Sequence, residues 1–488
     1  FYKKFSYRNF NKIFIMNLNE AEYKIRKFDT KVIQEKIIYS INVEDNTAQV
    51  AGTISPLDQI IIPRSIKHES KEYLITSISD YAFQFSKIKI IQFDPDSELR
   101  IINRFAFWKS SIEKFTIHPH LTVLCDSSFA NCKQLLAIEI PENSELRTIQ
   151  KNAFWNSTIE SLTIPSSLID LQEGWCCGAS NIKRVDVSAN NPRYKKYNDE
   201  LIIGKSSIES DIFDVLVFCV RNIKKITIPN FIRIIESHAF GNCEKLQTVE
   251  VPSDSQLITI QKEAFYCSSI ESLSIPSTLI DLQEDWCYGI NNLSNVNISP
   301  DNPRYSLLDK KFIVGKSIIE SDIFDILVFC FRNAKFASIP SFIKYIDSYA
   351  FENCSKLRNI EFSMNSEIKT IEKFAFYNTS IEKVRIPAHL KEIRTSAFCC
   401  EKLIHVEIEP NSELSIINDR AFWTSPIKSF AFPPHVTEVN ESSFAFCFDL
   451  KIVEIDSDIL INDTFLHSFK QAIIMIPCRF RNLYSQTL

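Results

Sequence analysis

Apolar residues recur along the chain in a phrase of fixed spacing, I-x-x-L-x-I, closed in many copies by proline. Ile159, Leu162 and Ile164 before Pro165 form one such phrase, Leu246, Val249 and Val251 before Pro252 another, and Ile381, Val384 and Ile386 before Pro387 a third. Alternation at the last two apolar positions turns them to one face and the residue between them to the other, the mark of a strand with one buried face. Proline then stops the strand, because it has no N–H for a continuing ladder. A second apolar pair follows, such as Leu168 with Leu171 or Ile343 with Ile346. The chain then reaches a small residue and an aromatic, as at Ala82-Phe83, Ala106-Phe107, Ser128-Phe129, Ala153-Phe154, Gly174-Trp175 and onward to Thr464-Phe465. Most successive aromatics lie 21 to 25 residues apart, the period of a leucine-rich repeat.

A unit of this size cannot bury its apolar side chains alone, so the pattern predicts coils stacked on one another with the aromatics as core. Seventeen strand phrases run from Ile60-Ile62 to Ile474-Ile476. At ~4.8 Å between parallel strands they predict an arc on the order of 77 Å. Units alternate between an Asn-Cys type and a Ser type, and four units make a larger block. IESLTIPSSLIDLQEGWCCG at 159–178 returns as IESLSIPSTLIDLQEDWCYG at 270–289, 111 residues later. A block was duplicated in tandem. Each copy carries an insert, near 188–222 and 299–333, in which LIIGKSSIESDIFDVLVFC and FIVGKSIIESDIFDILVFC read as two strands around a polar loop. The expectation is a hairpin that projects from the stack.

The I-P strand endings, the A-F turns, the N-C pairs and phrases such as NSELRTIQKNAF and NSEIKTIEKFAF resemble the BspA-type leucine-rich repeat family, as expanded in trichomonad protists. The resemblance spans about residues 58 to 477. It implies a right-handed curved solenoid with a parallel sheet on the concave face and short turns or helical segments on the convex side. It also implies a surface antigen or adhesin that binds host-cell or matrix proteins. Asn191-Pro192-Arg193-Tyr194 and Asn302-Pro303-Arg304-Tyr305 are similar to inserts of the family, but the usual following Asp-Gly is replaced by Asn-Asp-Glu and Asp-Lys-Lys. The expected organisation is an N-terminal extension and cap over 1–57, the solenoid over 58–477 and a tail over 478–488.

Composition narrows the function. The chain has 488 residues, 24% charged and 45% hydrophobic, enough for a sizeable core. A net charge of −5 gives no basic field for a nucleic acid backbone. No run of 18 apolar residues predicts a membrane-spanning helix. The first residues, FYKKFSYRNFNKIFIM, lack the apolar core of a secretory signal, and Met16 lies inside them. The chain reads as a fragment, a processed product or a gene product extended upstream of Met16. Location is accordingly open between the cell surface or secretion, which the resemblance implies, and the cytoplasm, where an intracellular protein-interaction scaffold is the alternative reading.

Catalytic and metal chemistry find no foothold in the spacing. Gly204-Lys205-Ser206 and Gly315-Lys316-Ser317 lack the earlier glycine of a phosphate loop, with Asp199 and Lys310 in its place. The fourteen cysteines follow the repeat and read as small buried side chains, without the paired two-residue spacing of a zinc site. His118 and His120 stand apart from any nucleophile, and no Gly-x-Ser-x-Gly elbow occurs. The expectation is a non-enzyme without cofactor or metal that binds protein ligands. Candidate contacts are the outward residues of the strands, Glu139, Asp186, Glu250, Asn297, Glu361, Arg385, Glu407 and Glu454, which make a gently acidic ladder, and Lys205 and Lys316 on the inserts.

Overall fold

A computed structural model describes residues 30–456, 469 and 472–475. Within them each repeat is one coil with three hydrogen-bonded sides. One side is a strand of three or four residues, such as Lys114–Thr116, Ala137–Glu139 and Ser161–Ile164. The second is a two-residue strand, such as Ile101–Ile102, Val123–Leu124 and Thr148–Ile149. The third is the small-aromatic turn. Like sides of successive coils pair in parallel, Phe115 opposite Ile138 and Ile102 opposite Leu124. The turns form their own ladder: Phe107 N–H donates to Ser128 O at 2.8 Å, Phe129 N–H to Ala153 O at 2.8 Å and Asn131 N–H to Trp155 O at 2.7 Å. The backbone groups of a coil are thus satisfied by its neighbours on three sides.

Where turns or helical segments were expected, the described residues hold turns and no helix. The reason is local. Most turns place residues in the left-handed region before the small-aromatic pair (Phe105 φ 54°, Ser127 φ 56°, Asn152 φ 57°) and again two residues after the aromatic (Asn131 φ 60°, Asn156 φ 54°, Asn242 φ 58°). A right-handed helix cannot run through such positions, and asparagine is one of the few side chains that tolerate them. This accounts for the Asn-Cys pairs in a chain with only 7 glycines.

The aromatics stack inside as the period requires. Ring centroids are 5.2 Å apart for Phe83 and Phe107, 4.8 Å for Phe107 and Phe129, 4.7 Å for Phe351 and Phe376, and 5.0 Å for Phe376 and Phe398. The longer strands do not form the single ladder that the phrases predict. They make sheets of six, four, four and three strands, with breaks between Arg184–Val187 and Lys225–Thr227, between Asn295–Ile298 and Phe336–Ile339, and between His405–Ile408 and Ser429–Phe432.

The inserts cause the first two breaks, and their strands do not project. Tyr194–Lys196, Leu201–Gly204 and Val215–Cys219 form an antiparallel meander whose last strand pairs in parallel with Ile234–Ile235. Tyr305–Leu308, Phe312–Gly315 and Ile326–Cys330 repeat it before Tyr345–Ile346. The second and third strands are apolar at nearly every position and buried on both faces. Ile202, Val215, Val217 and Phe218 pack on the upstream core, and Leu201, Ile203, Leu216 and Cys219 on the downstream one. Apolar runs without alternation belong between two cores. The connecting loops and the first strand of each meander reach solvent, with Ile212 and Ile318 of the loops each 62% exposed. The same meander starts the described chain, as Thr30–Gln34, Ile37–Asn42 and Thr47–Thr53 leading to Lys71–Ile78, with the bulge at the equivalent place (Ile38/Tyr39, Ile202/Ile203, Ile313/Val314). Each insert therefore repeats the topology of the opening meander.

The Asn-Pro-x-Tyr motifs close the stack upstream of each meander. Asn191 donates to Pro165 O at 2.6 Å and Leu168 O at 2.8 Å and accepts from Tyr194 N–H at 2.7 Å. The Tyr194 hydroxyl then accepts Leu171 N–H at 2.9 Å, on the last short strand of the upstream sheet. Asn302 and Tyr305 repeat the arrangement around Pro276, Leu279 and Leu282. Thr464-Phe465, the 478–488 tail and residues 1–29 of the expected N-terminal extension lie outside the described residues.

Candidate binding face

Proline and the alternation before it fix which side chains the longer strands turn outward. Every outward position named from the sequence lies on one of these strands, in register with a neighbour: Thr116 with Glu139, Thr163 with Asp186, Thr227 with Glu250, Ser274 with Asn297, Ser338 with Glu361, Arg385 with Glu407 and Ala431 with Glu454. The breaks divide them. Glu139 and Asp186 share the first sheet, Glu250 and Asn297 the second, Glu361, Arg385 and Glu407 the third, and Glu454 lies on the fourth. Lys205 and Lys316 belong elsewhere, at the base of the exposed loops, with their ammonium groups 5.1 Å and 5.0 Å from the Phe213 and Phe324 rings.

The acidic ladder is largely neutralised by a row that the sequence reading missed. Lys114 Nζ lies 2.6 Å from Glu139, Lys225 Nζ 2.6 Å from Glu250 and Lys383 Nζ 2.5 Å from Glu407. Thr116 and Thr227 add hydroxyl donors at 3.0 Å and 3.2 Å. Hydrogen bonds from the lysines hold the carboxyls of Glu139, Glu250 and Glu407 below their ordinary value. Burial pushes Asp186 up, but hydrogen bonds from Arg184 and Lys196 outweigh it. Arg385 Nε lies 3.4 Å from Glu409. The signal was available: each lysine stands two residues before an outward position, on the same face. The face is one of matched charge and small hydroxyls rather than a gently acidic one.

At the first break the face opens into a cleft of about 670 Å³ beside Lys225–Thr227, lined by Tyr197, Asn198, Lys225, Pro229, Asn230 and Asp254 among others. The Tyr197 ring is half exposed and packs edge-on against Phe231 at 5.6 Å, and Asn230 Nδ2 donates to Asp254 Oδ2 at 2.7 Å. No pattern in the strand phrases predicts it, because it depends on how the meander re-enters the stack. Among the described residues no group of three or more histidine, cysteine, aspartate or glutamate side chains is arranged to hold a metal ion, and no helix is long and apolar enough to cross a membrane.

Parallel coils built on this repeat, with a regular outward face, define a leucine-rich β-solenoid. The family model for the BspA type leucine rich repeat region matches residues 57–183, 207–310 and 322–451 in six copies, and the chain belongs to that family. Among solved structures it is similar to a leucine rich cell surface protein from Faecalibacterium prausnitzii, at 15% identity over 92% of this chain and 94% of that one with a TM-score of 0.43. A leucine-rich repeat protein from Eubacterium ventriosum is similar at 16% identity over 85% and 99% with a TM-score of 0.47, and the pneumococcal vaccine antigen PcpA at 16% over 92% and 98% with a TM-score of 0.38. No curated protein matches the chain by sequence.

Proposed function

We propose that the chain is a non-enzymatic protein-binding solenoid that works as a surface antigen or adhesin, engaging host-cell or matrix proteins through its longer-strand face. The reading takes that face as the concave side of a right-handed arc, with residues 58–477 as the binding unit between an N-terminal cap over 1–57 and a C-terminal tail over 478–488. Its main support is the registered row of outward side chains, from Thr116 and Glu139 to Ala431 and Glu454, which repeats over several coils as extended recognition surfaces of solenoids do. The matched Lys-Glu pairs favour a polar protein surface, and the Tyr197 cleft supplies a place for an anchor side chain. One observation favours the intracellular scaffold instead: thirteen described cysteines are free, ten of them buried, which suits a reducing compartment.

Antibody raised against the exposed loop 205–213 separates the two readings. Staining of intact source cells is the expected result. Staining only after permeabilisation would overturn the surface reading in favour of the scaffold.

A further inference from the structure

Where the first meander joins the stack, a buried guanidinium lies among sulfur atoms. Arg221 is 2% exposed. Its Nη1 donates to Cys219 O at 3.0 Å and Ala239 O at 2.9 Å, its Nη2 to His238 O at 3.4 Å, and the group sits 4.4 Å from the Phe218 ring centroid. In an ordinary coil, turn N–H groups bond the carbonyls of the next coil, as Phe240 N–H bonds Ala264 O at 2.9 Å. The meander has no such turn; Cys219 N–H bonds Ala239 O at 3.0 Å, and Arg221 adds donors to Ala239 O and His238 O. The charge still needs an anion, because a buried guanidinium without one is strongly unfavourable. Its side-chain partners among the described residues are thiols, Cys243 Sγ at 3.3 Å and Cys176 Sγ at 3.8 Å.

We propose that Cys243 is the thiolate that balances Arg221, and that with Cys219 it forms a buried dithiol that hydrogen peroxide converts to a disulfide. Arg221 Nη1 bridges the two residues, 3.0 Å from Cys219 O and 3.3 Å from Cys243 Sγ, the Cys219 thiol lies 3.5 Å from Val220 O, and both residues are fully buried. Burial pushes the Cys243 thiol up, but the neighbouring Cys219 thiol and the Arg221 charge outweigh it and bring it down to about 7. Burial and the neighbouring sulfur push Cys219 up, so it keeps its proton. The duplicated block builds the site twice. Arg332 donates to Cys330 O at 3.4 Å, Ala350 O at 2.9 Å and Tyr349 O at 3.2 Å, and its Nη1 lies 3.7 Å from Cys354 Sγ. There buried Glu352 stands where the first block has Gly241, so a carboxylate shares the balance.

The chemistry closes with peroxide as the oxidant. The Cys243 sulfur attacks one peroxide oxygen, the O–O bond breaks and hydroxide leaves, giving a sulfenic acid. The Cys219 sulfur then attacks Cys243 sulfur, its proton leaves with the hydroxyl as water, and the S–S bond forms. Two electrons pass from the pair to peroxide. Burial selects an oxidant of this size over a peptide disulfide. The product ties the strand Val215–Cys219 to the next coil and removes the anion beside Arg221.

The test is peroxide treatment of the intact protein, followed by alkylation in denaturant and peptide mass spectrometry. A Cys219–Cys243 linked peptide, formed ahead of oxidation at the less buried Cys125 and Cys447, is the expected result. Cys219→Ser should stop at a Cys243 sulfenic acid trapped by dimedone. Arg221→Lys should keep the reaction, and Arg221→Met should slow it roughly tenfold or more. If Arg221→Met does not fold, the wild type should show a thiolate absorbance transition near pH 7, reduced in Cys243→Ala. Recovery of Cys219 and Cys243 as free thiols, with oxidation confined to Cys125, Cys267 and Cys447, would overturn the proposal.

Discussion

At the scale of the residue, the second block holds carboxyls that its packing shields from water. Glu352 is 2% exposed and accepts Gly289 N–H at 2.8 Å. Burial, only partly offset by Arg332, pushes its carboxyl up to about 7, and burial does the same to Asp347. The unfolded chain releases these protons near the ordinary carboxylate value, so between there and about pH 7 the folded state binds more of them. Stability from these groups is therefore full at low pH and is lost as pH rises through about 7. Urea midpoints should be lower at about pH 7.5 than at about pH 5. The difference should shrink in Glu352→Gln, which keeps an acceptor for Gly289; an unchanged difference would remove Glu352 from the account. Residue-scale chemistry of this kind was barely legible in the sequence. The outward positions could be named from alternation and proline alone, but Arg221 meets Cys243, and Glu352 meets Gly289 and Arg332, only through coils that the meanders bring together, and linear spacing does not carry that.

At the scale of the element, the Asn-Pro-x-Tyr motif is a terminator and the meander an initiator. Tyr194 satisfies the N–H of Leu171, which would otherwise be a buried donor without a partner. Tyr194→Phe should cost about 1–3 kcal/mol for that reason, and Tyr305→Phe a similar amount at Leu282. Denaturant melts check this, and a change within about 0.5 kcal/mol would mean that another group takes the N–H. Elements were the most legible level. Ile159, Leu162, Ile164 and Pro165 announce a strand and its end, and Ala153-Phe154 announces the turn. The helices expected on the outer side fail because the turns place residues such as Asn152 and Asn156 at positive φ, which a pattern of apolar residues does not encode. The projecting hairpin fails because LIIG and VLVFC are apolar on both faces, a feature visible in the sequence that points to burial between two cores.

At the scale of the whole molecule, the meanders divide the apolar interior into three packed clusters. Stability in a stack is close to a sum of nearest-neighbour terms, so damage should stay near its origin. Phe398 lies in the last cluster between Phe376 and Phe422, and Phe398→Ala should cost about 3–5 kcal/mol. Hydrogen exchange should rise between residues 312 and 455 while amides upstream of Phe312 keep their protection. A uniform rise along the chain would instead mean that the clusters unfold together.

The central claim, that the longer-strand face binds protein, is tested most directly by one comparison of variants. Lys114→Glu, Lys225→Glu and Lys383→Glu together reverse the lysine row on three of the four sheets, at exposed positions where folding should persist. Their binding to immobilised extracellular-matrix proteins and to cultured host cells is measured beside the wild type and beside a variant with Ile212 and Ile318 of the exposed loops changed to serine. The account predicts at least about a tenfold loss, roughly 1.4 kcal/mol, for the lysine variant and little change for the loop variant. Full binding by the lysine variant with loss in the loop variant would contradict it and move the site to the loops.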